Sequence, residues 1–306
     1  MYYNLELFGK KLKNIRKKLN LSKKDLSEMA FVADKTIRRY ESGKVKPNFD
    51  ILETLSPCYK TDLVSLLIQC RFDDYSVFYA IKNRIEIRLY DKKDNDLQKE
   101  LKDLNILLSS TKNQYCINLI NQLIIFIEAV ELYNNEKSNL AHDKFVEAIK
   151  ITTPNFNLDN YNSYIFSSME IRILMNIALV FNKLNDKTKY LEILEFCITS
   201  TEYTDEICPI LCNNLAGAYI RNKNYQKALE YSDVGIQSCV ENRNFICLSN
   251  LYYTKGYAER RLNMKEHIES LNTSVYLCKA FKQDKLKNII IEKCKNYLDV
   301  DLSNIE

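Results

Sequence analysis

The residues able to do chemistry in this 306-residue sequence form two sets, one cationic and one of amides. Residues 1–60 hold 14 Lys or Arg against 7 Asp or Glu, a balance of +7, which leaves 30 against 33, or −3, for the rest of the chain. A compact basic head on a slightly acidic body is the charge layout of a nucleic-acid reader with a separate second domain. The amide set is sparser. Asn176 and Asn214 each precede a small residue in the same Asn-x-Ala context, as MNIA and NNLA. An asparagine side chain carries both a donor and an acceptor, so it can pair with the C=O and N–H of a peptide backbone together.

Other chemistries lack their parts. The five glycines, Gly9, Gly43, Gly217, Gly235 and Gly256, are never clustered. Neither a Walker loop nor a dinucleotide fingerprint can be built without clustered glycines, which let the backbone approach a phosphate. Ten cysteines are scattered with no Cys-x-x-Cys pair, and only His142 and His267 could assist in binding a metal. No zinc site is expected, and the thiols read as small buried hydrophobes in a reducing compartment. Neither histidine sits in a pattern with a carboxylate or cysteine that makes a known acid–base site, so no catalysis and no cofactor are expected. The opening MYYNLELFGKKLK has no apolar stretch behind its charges and does not read as a signal peptide. The longest apolar run, Leu123 to Ile127, is far short of a membrane span, and a cytoplasmic protein is expected.

The elements that must position the basic set follow from apolar periodicity. Leu5, Phe8, Leu12, Ile15 and Leu19 repeat at three- and four-residue steps, which predicts a helix with one buried stripe. Ser22 is a good N-cap with Asp25 three residues on, and opens a second helix whose buried face is Leu26, Met29 and Ala30. A third helix begins near Ala33 or Asp34, turns Ile37 and Tyr40 inward, and ends at Glu41-Ser42-Gly43; a fourth follows Pro47 with Ile51, Leu52 and Leu55 inward. The segment LSKKDLSEMAFVADKTIRRYESGKVKPNFDIL resembles the Xre/Cro type of helix-turn-helix. Leu21, Ser22, Leu26, Val32, Thr36, Ile37, Glu41, Gly43, Pro47 and Leu52 match that pattern in register. It departs at Lys23, at Phe31 where the turn glycine usually stands, and at Ala33 where a capping serine does.

That resemblance implies a third helix lying in the major groove. Asp34, Lys35, Arg38 and Arg39 are then its exposed residues, and Lys35, Arg38 and Arg39 are the expected base readers. Arginine can address guanine O6 and N7 with two parallel hydrogen bonds. Ser22, Lys23, Thr36, Lys44 and Lys46 are expected at phosphates, where they position the domain without reading sequence.

Beyond residue 76 a small or apolar residue is followed by another twelve positions later: Ala129 and Ala141, Ala178 and Tyr190, Ala216 and Ala228, Gly256 and Ile268, with Ile85 and Leu97 as a degenerate earlier copy. The steps between copies are 44, 49, 38 and 40 residues, the range of a helical solenoid. LCNNLAGAYIRNKNYQKALEYSDVGI and AVELYNNEKSNLAHDKFVEAI resemble tetratricopeptide repeats. In such repeats the first helix of each pair lines the concave surface. This implies a peptide-binding set of Asn176, Asn214, Arg172, Asn213, Asn250, Tyr253 and Tyr257, with Arg172 meeting a carboxylate and the tyrosines walling apolar side chains.

The expected fold is all-α: a helix-turn-helix domain over residues 1–66, a linker over 67–75, and a right-handed α-solenoid of about five helix pairs over 76–306. This architecture is similar to the RRNPP family of peptide-pheromone receptors. That resemblance implies a transcription regulator, dimeric through its repeats, that binds a twofold-symmetric DNA operator under the control of a short signalling peptide. The alternative is a DNA-binding repeat protein whose body only dimerises or recruits a protein partner.

Overall fold

The structure, a computed structural model, describes residues 3–70, 75–91 and 97–302. No strand occurs among the described residues. The head is built from α1 (Leu5–Lys18), α2 (Lys23–Ala30), α3 (Asp34–Glu41), α4 (Phe49–Tyr59) and α5 (Leu63–Gln69). Phe8, Leu12, Leu26, Ile37, Leu52 and Leu55 meet in its core. Ser22 caps α2 as expected: its hydroxyl accepts from the Asp25 N–H, and the Asp25 carboxylate accepts from the Ser22 N–H. The turn after α2 is made without glycine. Phe31 takes a left-handed φ of 52° and leaves its ring 96% exposed. Gly9 lies in a close approach, because a Cβ there would stand 2.5 Å from the Glu41 carbonyl oxygen and 2.7 Å from that of Tyr40. α1 therefore abuts the C-terminal end of α3.

Two expectations for the head need correction. Met29 is 53% exposed, because α2 is only two turns long and turns Leu26 and Ala30 inward. The segment expected to be linker from residue 67 is helical to Gln69, and Leu67 and Cys70 are fully buried in the head's core. The Asn4 N–H donates to the Cys70 carbonyl at 2.7 Å, tying the chain's start to the end of α5. Residues 71–74 of that expected linker lie outside the described residues.

The chain divides into two compact units, residues 1–85 with 97–124, and residues 86–96 with 125–306. The expected boundary at residue 76 is therefore too early. Most of α6 (Tyr75–Asp91), α7 (Gln98–Ser110) and the first half of α8 (Gln114–Asn134) belong with the head. Ile85 and Leu97 are buried there, and Arg84 binds Asp103 at 2.5 Å between α6 and α7. By length and composition α8 is the one described helix apolar enough to cross a membrane, which the short run Leu123–Ile127 did not reveal. Cys116, Ile120, Leu123, Phe126 and Ile127 are buried, so one face of the helix is taken up in packing, while Ile117, Leu119, Ile124 and Ile125 are half-buried.

The second unit continues through α9 (Ser138–Lys150), a 3-10 turn (Leu158–Ser163), α10 (Ser168–Lys183), α11 (Lys187–Thr199), α12 (Cys208–Arg221), α13 (Tyr225–Glu241), α14 (Leu248–Arg261), α15 (His267–Ala280) and α16 (Asp284–Leu298). From α9 onward each helix packs on the next, and α12 also packs on α14, the neighbour relation of stacked hairpins. Small residues set the spacing. Ala129, Ala141, Ala178, Ala216 and Ala228 are fully buried. A Cβ on Gly235 would stand 2.8 Å from Cys212 and Leu251, and one on Gly256 2.7 Å from Leu271. Ile268, expected opposite Gly256, is instead 42% exposed, because α15 starts at His267 and its inward stripe begins with Ser270 and Leu271.

The turn inside each hairpin is made the same way. Glu136, Asn185, Lys223 and Asn263 all take left-handed φ between 58° and 67°. They recur at 49, 38 and 40 residues, the steps already read from the small residues. None of the four is glycine.

Candidate nucleic-acid and peptide interfaces

The expected base readers stand on one outward face of α3. Ile37 and Tyr40 anchor that helix in the core at 1% and 4% exposure, which leaves Lys35, Arg38 and Arg39 exposed. Arg38 Nε lies 2.7 Å from Asp34 Oδ2, one turn earlier on the same helix. An exposed pair of this kind contributes little and yields readily to a competing acceptor. Ser22, Lys44 and Lys46 are exposed around α3, and Thr36 is half-buried. Lys23 is partly withdrawn: its Nζ lies 3.8 Å from Glu41, so it serves the head's interior as much as a phosphate.

What holds α3 in place was not read from the sequence. Arg16 donates from Nε and Nη2 to the two oxygens of Glu41 at 2.5 and 3.1 Å, and from Nη1 to the Leu21 carbonyl at 2.9 Å. Both side chains are buried. The hydrogen bond to Glu41, aided by the nearby negative charge, raises the Arg16 guanidinium further above its ordinary value despite burial. The pair spans α1 to the end of α3, so it fixes the direction in which the exposed face of α3 points.

The candidate peptide residues lie on α10 (Arg172, Asn176), α12 (Asn213, Asn214) and α14 (Asn250, Tyr253, Tyr257), the first helices of successive hairpins. Asn176 and Asn214 adopt the same conformation. Each is half-buried and donates from Nδ2 to the carbonyl one turn back, Asn176 to Arg172 at 2.7 Å and Asn214 to Ile210 at 3.0 Å. Asn214 Nδ2 also donates to Met175 Sδ at 3.3 Å, a contact between α12 and α10. The back-bond leaves Asn176 a second N–H on its amide nitrogen, whereas that of Asn214 is directed to the sulfur; both side-chain oxygens remain acceptors. Asn213 and Asn250 are half-buried.

Three residues are less open than expected. Arg172 is only 8% exposed and donates from Nη2 to Glu86 at 2.8 Å. Tyr253 and Tyr257 meet edge-on at 6.2 Å and pack against a cluster formed by α15 and α16, including Leu271, Cys294 and Leu298. Arg261 lies over the Tyr257 ring at 5.4 Å. Helix α16 was not foreseen from the repeats, and it covers part of the surface that the tyrosines would otherwise wall.

The helix-turn-helix family model matches residues 12–65, and the model of the RNPP family C-terminal domain matches residues 142–299. No curated protein matches the sequence. Among solved structures, PlcR of Bacillus thuringiensis in complex with the peptide PapR7 and DNA has a TM-score of 0.72 at 16% identity, over 94% of this chain and 99% of that one. The pheromone receptor Rgg2 of Streptococcus dysgalactiae has a TM-score of 0.58 at 14% identity, over 95% and 99%. ComR of S. thermophilus, in complex with DNA and its signalling peptide ComS, has a TM-score of 0.57 at 15% identity, over 92% and 97%. At such identities the likeness is one of fold. The family model itself spans more than half of the sequence, and the chain belongs to the RNPP family.

Proposed function

We propose that this chain is a cytoplasmic transcription regulator that binds a twofold-symmetric operator as a homodimer and answers to a short signalling peptide. The observation that carries the reading is the outward face of α3, where Lys35, Arg38 and Arg39 are exposed on a helix pinned from behind by the Arg16–Glu41 pair. It is joined to an RNPP body whose asparagines repeat one geometry. The complexes of PlcR and ComR with DNA and a peptide supply the precedent in this fold. In this reading Lys35, Arg38 and Arg39 meet base edges, while Ser22, Thr36, Lys44, Lys46 and the partly withdrawn Lys23 meet phosphates. Asn176 and Asn214 hold an extended peptide by its backbone, independently of its side chains, and Arg172, Asn213, Asn250, Tyr253 and Tyr257 complete the surface.

A peptide changes DNA affinity only if it binds one conformation of the body more tightly than another. A coupling of about 1–3 kcal/mol would alter operator affinity about 5- to 150-fold. Gel-shift titrations with an operator selected from random DNA, with and without candidate peptides, test this. Asn176→Ala and Asn214→Ala should remove the peptide response, each at a cost of about 1–3 kcal/mol in peptide binding, and leave peptide-free DNA binding intact. The half-covered tyrosines favour one rival, a body that only dimerises or recruits a protein. Calorimetry that finds no saturable heat with any short peptide, beside intact operator binding, would establish that rival.

A further inference from the structure

Arg172 is buried but only partly paired. Nη2 donates to Glu86 Oε2, while Nε and Nη1 are buried without a hydrogen-bond partner among the described residues. The Arg16 fork in the head is filled on every nitrogen, so the contrast is not a general habit of this chain. A guanidinium presents five N–H donors in a planar fork that fits a carboxylate through two parallel bonds. Buried donors left unmade carry the full desolvation penalty of the group. Glu86 meets this fork through one oxygen only, and its side chain keeps 22% exposure. The Arg172 carbonyl accepts from Asn176, so the half-filled fork and one half of the asparagine clamp share a single helical turn.

We infer that Arg172 is the seat for a ligand carboxylate, and that Glu86 occupies it as an internal substitute until the ligand arrives. This rests on the peptide reading and names the group recognised: a free carboxylate, carried by the peptide's C-terminus or by an acidic side chain. A ligand carboxylate that grips the fork with both oxygens replaces a one-oxygen contact, and Glu86 moves into the water it already touches. The exchange keeps one negative charge beside the buried guanidinium. A neutral amide in the same place would leave that charge uncompensated, so acid is distinguished from amide. Glu86 and Arg172 lie in the same compact unit, but Glu86 is on α6, whose residues up to Ile85 belong to the other one.

Two measurements on the full-length chain test this. In the first, melting midpoints are compared in sodium propionate and sodium chloride at matched ionic strength. Propionate should raise the midpoint of Glu86→Ala above its value in chloride, and Glu86→Gln should behave alike if Glu86→Ala folds poorly. The double variant Glu86→Ala/Arg172→Met should show no difference between the salts. Equal midpoints in the two salts for both single variants would overturn the seat. In the second, the wild-type chain is titrated with two heptapeptide pools, one ending in free carboxylates and one in carboxamides. The acid pool should bind about tenfold more tightly, a preference that Arg172→Met abolishes. Equal affinity for the two pools overturns Arg172 as the peptide's anchor while leaving peptide binding itself in place. Failure of both pools removes the peptide reading and its ligand, and the propionate comparison then decides the carboxylate seat by itself.

Discussion

Arg16 in the head and Arg172 in the body are both buried arginines facing a glutamate, and they are built to opposite ends. The head's pair is bidentate, with the third nitrogen bonded to a backbone carbonyl and Glu41 itself held in the core. The body's pair is a single contact with two nitrogens left over. Around each arginine the same difference recurs. The expected base readers Lys35, Arg38 and Arg39 are exposed charges on a locked frame, ready for a polyanion. The expected peptide residues are half-buried and already engaged with carbonyls, a sulfur, a carboxylate or neighbouring rings. A surface that reads DNA gains from being finished beforehand, whereas one that responds to a ligand needs partners it can exchange.

The largest effect expected from this contrast is on the head. Glu41→Ala leaves Arg16 buried without its counter-charge and should cost about 3–5 kcal/mol, enough to unfold the head and abolish operator binding. Urea unfolding followed by circular dichroism measures it. Glu86→Ala in the body should cost clearly less, because the body's pair is only half made; equal losses would erase the distinction between the two arginines.

Packing should separate two glycines of the body next. Gly256→Ala forces a methyl against Leu271 and should destabilise by about 1–3 kcal/mol. Gly217 has only the Arg221 guanidinium nearby, at 3.6 Å, and Gly217→Ala should stabilise by about 0.5–1 kcal/mol through helix propensity. A destabilised Gly217→Ala would show that α12 is tighter than its neighbours suggest.

On DNA, Arg38→Ala should lose about 1–3 kcal/mol of discrimination at one position per half-site, whereas Lys44→Ala should weaken every sequence alike. If the Arg38 variant loses as much affinity for scrambled DNA as for the operator, Arg38 is not a base reader.

The smallest effect concerns pH. Burial pushes the Glu170 carboxyl up, but the hydroxyls of Thr153 and Thr152 and the N–H and hydroxyl of Ser167 outweigh it and hold the group below its ordinary value. A depressed folded value means that Glu170 contributes stability above the ordinary carboxylate range and loses it as pH falls through its own value. The body should therefore weaken at acid pH, and Thr153→Ala should lessen that acid sensitivity in denaturation curves taken at several pH values.

Most of the frame was legible because it is written in short-range periodicity. The apolar stripe of α1, the capping box at Ser22 and Asp25, and the small residues at Ala129, Ala178, Ala216 and Gly256 all lie within a few turns of what they specify. The pairs that matter most to the sites were not legible. Arg16 meets Glu41 across 25 residues and Arg172 meets Glu86 across 86, and no local pattern marks such separations. Met29 and Ile268 were misassigned for a related reason. Periodicity gives a stripe but not its edges, and a displacement of one or two residues along a helix moves a side chain from core to water. The cover that α16 places on Tyr253 and Tyr257 followed from no repeat, since a terminal helix has no counterpart to reveal it.

The turn at Glu136, Asn185, Lys223 and Asn263 is shared although the repeat is uneven. Within hairpins the connections are short: residues 135–137, 184–186, 222–224 and 262–266. Between hairpins they run over 151–167, 200–207 and 242–247, and the first of these accounts for most of the long 49-residue step. The 40-residue step exceeds the 38-residue one because α13 has 17 residues where α11 has 13. The joint over 151–167 holds enough chain for structure of its own, the 3-10 turn at Leu158–Ser163, while the left-handed residue recurs inside each of the four hairpins. The body behaves as a string of hairpins that share one kind of inner corner and differ in the lengths of their joints and second helices.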